Sequence, residues 1–269
     1  MDALRQIDDW GAEHASAGVA RAHEPPVTHG ARDVPLRWAS LTKLVTALAT
    51  LVAAEEGVVD LDEPAGPDGS TVRHLLAHTS GLPFEGDAPI APPGQRRIYS
   101  NTGFERLADH VARAAEMEFG DYAREAVLAP LGIDADLVGT AAAGLRGTLD
   151  GLLALARELL APTLVAAETF AEATAVQFPG LSGVLPGFGR WPTNDWGLGF
   201  EIRDDKTRHW TGTLNSPRTF GHFGGSGTFL WVDPDRALAC TVLTDREFDD
   251  WALAAWPQLS DDVLAEAAA

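Results

Sequence analysis

Apolar positions recur at helical spacing after residue 40. Leu44, Val45, Leu48, Leu51 and Val52 fall on one face, and Gly57 is placed as a stop. The same period predicts helices over 71–77, 102–117, 121–128, 148–160 and 163–176, with Thr148 suited to an N-cap. Residues 2–16 suit a short polar helix. Short strand signals follow at 18–20 and 27–29, split by Pro25-Pro26. Residues 179–195, rich in Gly, Pro and Trp, read as a long loop, and loops of that length are usually functional or mobile. Beyond it the pattern turns to strands at 196–202, 219–223, 228–232 and 237–244. Asp233-Pro234-Asp235 is a turn between two of them. Helical spacing returns over 249–267, interrupted by Pro257.

Helix and strand are thus segregated along the chain. The expected fold class is α+β, an antiparallel sheet flanked by helices with an inserted all-helical region. Residues 1–60 plus 196–269 would form a discontinuous sheet domain. Residues 61–195 would form a helical region carrying active-site loops.

Composition narrows the partners. The 269 residues are 45% hydrophobic, enough for a sizeable core. Twenty Lys and Arg against 39 Asp and Glu leave a net charge of −19. A surface so acidic repels phosphate backbones and anionic headgroups, so nucleic acid and membrane are not expected partners. The one cysteine, Cys240, lies in the apolar run 237–243 and reads as a buried core residue. Met1-Asp2-Ala3-Leu4-Arg5 has no apolar signal segment and no stretch suits a membrane helix, so a cytoplasmic protein is the expectation.

Three stretches carry candidate chemistry. In Ser40-Leu41-Thr42-Lys43 the hydroxyl and the amine share a helix face at i and i+3. A serine is a weak nucleophile until a base takes its proton, and a desolvated lysine can be that base. In Tyr99-Ser100-Asn101, just before a helix, a phenol and an amide project together. A phenol lowered in pKa by a nearby cation would act as general base and later as general acid. In His222-Phe223-Gly224-Gly225-Ser226-Gly227-Thr228, glycines at a strand end allow close approach to the backbone. Taken singly, each also fits a plain role: an N-cap serine, a loop tyrosine, a glycine-rich hairpin.

Taken together and in this order, S-x-x-K, Tyr-x-Asn and His-x-Gly resemble the signature set of the class C β-lactamase and penicillin-binding-protein-like family. His74-Leu75-Leu76-Ala77-His78-Thr79-Ser80-Gly81-Leu82 looks like a segment common in that family, as does Trp196-Gly197-Leu198-Gly199-Phe200. The resemblance spans about residues 35–245. It implies a β-lactamase/transpeptidase-like fold and a serine hydrolase working through an acyl-enzyme, without metal or organic cofactor. By position, Ser40 would be acylated, with Lys43 and Tyr99 as the general-base pair. Asn101 would orient Lys43 or a substrate amide, and His222 would hydrogen-bond Tyr99 or meet a substrate carboxylate. The N–H groups of Ser40 and Gly225 would form the oxyanion hole. Phe223, Gly224, Ser226 and Trp196 would line the substrate site. His78 reads as structural, with its His and Thr bonding backbone at a helix end.

The third motif departs from the family's Lys-Thr-Gly. Phe223 has no hydroxyl and His222 is largely neutral at pH 7, which weakens the case for gripping a β-lactam carboxylate. With Trp191, Pro192 and Trp196 as an apolar wall, the expected substrate is a small ester or amide with a hydrophobic acyl group. A β-lactam or a D-Ala-D-Ala peptide is the alternative, and a catalytically idle ligand-binding domain the third reading. The oligomeric state is left open.

Overall fold

The computed structural model describes residues 1–268. The chain opens with a 3-10 helix (Asp2–Asp9), then β1 (Ala15–Ala20), β2 (Val27–Gly30) and β3 (Leu36–Arg37). A 3-10 turn (Ala39–Leu41) leads into α1 (Thr42–Glu55). The middle of the chain supplies α2 (Val72–Leu76), α3 (Asn101–Ala115) and α4 (Phe119–Ala123), which runs on into a π turn (Arg124–Leu128). β4 (Ala135–Leu137), β5 (Leu145–Gly147), α5 (Leu149–Leu160) and α6 (Ala167–Ala173) follow. Then come β6 (Gly183–Leu185), β7 (Gly189–Trp191), β8 (Glu201–Ile202), β9 (Phe220–Gly224), β10 (Thr228–Asp233), β11 (Leu238–Thr244) and α7 (Asp250–Ala267).

The main sheet has six strands in the order β2-β1-β11-β10-β9-β8, with antiparallel pairing throughout. Both faces are covered, which explains why β10 and β11 read as near-continuous apolar runs. The period of two then divides their side chains between two cores. Leu230, Val232, Ala239 and Leu243 join α1, α3 and α5 on one face. Phe229, Trp231, Cys240 and Val242 join the N-terminal 3-10 helix and α7 on the other. The fold is the α+β arrangement anticipated from the pattern.

Several local expectations change. The stretch 196–202 is a strand only at Glu201–Ile202. Trp196 and Glu201 instead bridge across a tight turn closed by Gly197 N–H donating to the Phe200 carbonyl (2.8 Å), with Gly199 at φ +87°. A β-carbon on Gly199 would collide with Ala47 of α1, so the turn and the close approach both require glycine. Pro257 does not interrupt the last helix. It leaves the Leu253 carbonyl without its helical donor, but Trp256 and Leu259 on either side are buried in the second core, which holds α7 continuous. The loop 179–195 contains the β6–β7 hairpin. A small sheet, β3-β5-β4, lies outside the sequence expectation, its strands being only two or three residues long. No described helix is long and apolar enough to cross a membrane.

Candidate active site

Ser40 sits in the 3-10 turn between Trp38 and α1, just after Ala39, whose φ of +47° is unusual for a residue with a side chain. The turn is held from both sides. Thr42 Oγ1 donates to the Ala39 carbonyl (2.7 Å) and accepts from Leu145 N–H (3.0 Å). One helical turn on, the Lys43 side chain is wholly buried. Its Nζ donates to Asn101 Oδ1 (2.7 Å) and to the Ala142 carbonyl (2.9 Å), and lies 3.5 Å from Ser40 Oγ. The rings of Tyr99 and Phe104 flank the amine, with centroids 4.7 and 5.5 Å away. Burial among these groups pulls the Lys43 pKa from 10.5 down to about 7, against a smaller upward pull from Glu105.

Tyr99 and Asn101 come from the segment entering α3. Ser100 is the N-cap. Its Oγ accepts from Gly103 N–H (2.8 Å) and donates to the Pro83 carbonyl (2.6 Å), which leaves Asn101 free to meet Lys43. His78 anchors this segment. Its Nδ1 accepts from Ser100 N–H (3.1 Å), and its ring packs against Tyr99, Phe104 and Trp196 at 4.7, 4.9 and 4.7 Å. His78 thus bonds backbone at a helix end, as read from the sequence, and the end is the N-cap of α3, 22 residues on; Thr79 Oγ1 donates to the His74 carbonyl (3.4 Å) in the last turn of α2. Desolvation raises the Tyr99 phenol above its ordinary value, only partly offset by the neighbouring Ser40 hydroxyl. The sequence expectation of a lowered phenol is therefore reversed, because the loss of water around the ring outweighs the hydrogen bond with Ser40.

His222 is buried on β9, with its ring centroid 5.6 Å from Tyr99 and 5.4 Å from Trp196. Nδ1 donates to the carbonyl of the next residue, Phe223 (2.6 Å), while Nε2 has no protein partner. Burial, reinforced by the Lys43 charge, lowers its pKa to about 3, so the ring is neutral. The expected hydrogen bond to Tyr99 is not formed: Nδ1 is committed to the backbone and the remaining nitrogen, Nε2, meets no partner among the described residues. A neutral imidazole also offers no charge to a carboxylate.

The glycines of the third motif divide their work. A β-carbon on Gly224 would stand 2.6 Å from the Trp38 carbonyl oxygen, so glycine here lets β9 end against the serine turn. At Gly225 the same position is open, its carbonyl accepts from Phe248 N–H (2.8 Å), and its N–H has no partner among the described residues. Ser226 turns its hydroxyl to the Arg37 carbonyl (2.7 Å), away from the cleft.

These parts enclose a cleft of about 150 Å³. Ser40, Tyr99, Trp196, His222, Phe223 and Gly225 line it; Lys43 and Asn101 lie behind Ser40, and Gly224 and Ser226 stay outside the lining. Phe84, Leu185, Pro186, Glu201 and Phe248 complete the wall without having been singled out in the sequence. Glu201 belongs to a buried cluster. Its carboxylate meets Lys206 Nζ at 3.0 Å and His209 Nε2 at 2.6 Å, and accepts from Trp210 Nε1 (3.0 Å). His209 and Lys206 overcome the effect of burial and hold the Glu201 carboxyl down at about 2. His209 is thus a structural partner of Glu201. No spacing signal joins residues 201, 206 and 209, which meet only through the turn that follows β8. Among the described residues no three His, Cys, Asp or Glu side chains converge as a metal site.

A six-stranded antiparallel sheet flanked by helices, with a hydroxyl, an amine and a phenol meeting at one end of β9, defines the β-lactamase and transpeptidase class of proteins. The sequence model of the Beta-lactamase family matches residues 9–141 and 132–264, and the chain belongs to that family. A crystal structure of a beta-lactamase from Mycobacterium bovis is 54% identical and covers 98% of this chain and 99% of its own, with a TM-score of 0.97. A penicillin-binding protein of Bacillus subtilis is 30% identical over 129 residues, 36% of this chain and 29% of the relative. The D-alanyl-D-alanine-carboxypeptidase/endopeptidase AmpH of Escherichia coli is 30% identical over 138 residues, 38% of this chain and 36% of the relative. The match thus spans about a third of the length of these last two relatives.

Proposed function

We propose that the protein is a serine hydrolase that cleaves small esters through an acyl-enzyme on Ser40. One observation carries this reading. The Lys43 amine, held near pKa 7, has two of its hydrogens committed to Asn101 and Ala142, so in the neutral state its lone pair is left for the Ser40 hydroxyl. Lys43 takes the Ser40 proton as Oγ attacks the ester carbonyl, and the carbonyl electrons move onto oxygen beside the free Gly225 N–H. Collapse breaks the bond to the leaving alkoxide. The proton returns from Lys43 to that oxygen through the Tyr99 phenol, whose raised pKa keeps it protonated and able to relay. Hydrolysis of the acyl-Ser40 ester by water, with Lys43 again as base, regenerates the hydroxyl.

The apolar cleft wall and the neutral His222 favour an ester over a substrate with a carboxylate beside the scissile bond. The description of the Mycobacterium bovis structure as a beta-lactamase favours β-lactam hydrolysis as the second reading. Rates on p-nitrophenyl acetate and butyrate compared with nitrocefin separate the two, and nitrocefin turned over far faster than either ester would reverse the order. Fluorophosphonate should label the wild type and not Ser40→Ala. Equal labelling of both, or of neither, would remove Ser40 as nucleophile.

A further inference from the structure

Beside the catalytic cleft lies a second, larger hollow of about 480 Å³, and Phe84, Tyr99 and Pro186 line both. This outer groove runs between the Arg96–Tyr99 segment and the β6–β7 hairpin, which are tied by Arg97 N–H donating to the Ser182 carbonyl (2.9 Å). Three of the eight large hydrophobic residues left exposed among the described residues converge here: Phe84 (50% exposed), Ile90 (55%) and Val184 (46%). Apolar groups gathered into a groove beside a reactive site are better explained by a ligand than by chance exposure.

The charge at the groove is the second observation. Arg96 and Arg190 both line it, and neither forms an ion pair with a described carboxylate. Arg96 uses Nη2 on the Ile90 carbonyl (3.0 Å) and keeps its buried Nε without a partner, while Arg190 is exposed on β7. In a chain where 39 acidic residues outnumber 20 basic ones, two guanidiniums without a carboxylate partner among the described residues, beside one apolar groove, form a local cationic site in an acidic surface. A guanidinium pairs with carboxylate or phosphate in a two-pronged geometry.

We propose that the substrate carries an apolar chain ending in an anionic group. The chain lies along Phe84, Ile90 and Val184, and Arg96 and Arg190 hold the anion. The site thus discriminates against charge at the scissile bond and selects it at a distance. That this ligand is the substrate rests on the hydrolase reading; that it binds does not.

Matched esters test this on either side of the scissile bond. Kinetics would compare p-nitrophenyl hydrogen suberate with p-nitrophenyl octanoate, and the acetate ester of ω-hydroxyoctanoic acid with octyl acetate. The anionic member of one pair should show kcat/KM roughly five- to tenfold higher, and the pair concerned identifies which side occupies the groove. Arg190→Glu should invert that ratio, Arg190→Lys should retain most of it, and added salt should reduce it. Calorimetric binding of the same pairs to Ser40→Ala gives a readout free of turnover. Anion-selective binding without Ser40-dependent hydrolysis would sustain the groove and overturn the hydrolase. Hydrolysis with a ratio at or below one in both pairs, or a ratio indifferent to Arg190→Glu, would overturn the groove.

Discussion

Replacing Lys43 by Met removes the amine while keeping much of its apolar stem, and the structure fixes what should follow. The amine is wholly buried with a pKa of about 7 in the folded chain and 10.5 in the open. If its neutral form is the base, kcat/KM for p-nitrophenyl butyrate rises with pH, is half-maximal near 7, and at pH 6 stands at about a fifth of its pH 7 value. Lys43→Met should lose roughly a hundred- to ten-thousandfold and show no such limb. The same group must appear in stability. Below pH 7 both states hold the proton. From about 7 to 10.5 only the unfolded chain does, so wild-type stability rises with pH by about 1.4 kcal/mol per pH unit. The full gain, on the order of 5 kcal/mol, is the cost of burying the charged amine and is relieved as the proton leaves. Lys43→Met also leaves Asn101 Oδ1 and the Ala142 carbonyl without their donor, at about 1–3 kcal/mol each, but that loss does not vary with pH. Urea unfolding of both proteins at pH 6 and in steps to 9.5 isolates the slope. A stability difference flat across that range, with no limb near pH 7 in kcat/KM, would refute the neutral-amine argument.

Tyr99→Phe keeps the tilted ring contacts with His78 and Trp196, so it should lower kcat/KM at least a hundredfold while the unfolding free energy stays within about 1 kcal/mol. Glu201→Gln leaves the buried Lys206 ammonium without its counter-charge and should cost about 3–5 kcal/mol in urea unfolding. Because the Glu201 carboxyl is held down at about 2, its contribution in the wild type is present above pH 4.5 and should be lost as pH falls toward 2, a loss that Glu201→Gln should not show. Gly224→Ala drives a β-carbon onto the Trp38 carbonyl and should reduce both stability, by more than about 2 kcal/mol, and activity. Gly225→Ala meets only open space, so its thermal midpoint should match the wild type while its hydrolysis rate falls.

Much of the molecule could be read before it was folded, for local reasons. A helix with an apolar face, such as α1 or α5, declares itself through its period, and the Thr148 N-cap was legible because it acts on an N–H three residues away. Strand pairs with turn residues between them, such as β10 and β11, are equally local. Where a single contact elsewhere decides the conformation, the reading failed. Trp196–Phe200 forms a tight turn because Ala47 lies against Gly199, and α7 passes through Pro257 because Trp256 and Leu259 are buried. The β6–β7 hairpin, each strand only three residues long, is too brief for any period to declare itself.

The candidate site divides the same way. The order of residue types along the chain was enough to nominate Ser40, Lys43, Tyr99, Asn101 and His222, since the first two are one helical turn apart and the others stand in short motifs. Their protonation could not be read there. It depends on how much water each group loses and which partners remain, and these are properties of the packed cleft. Burial brings Lys43 into the range of a base, raises Tyr99 and keeps His222 neutral. Residue types and their spacing were determined by the sequence alone; desolvation and the meeting of residues 40, 99 and 222 were decided by the tertiary structure, because the dielectric around a group is set by the atoms packed against it.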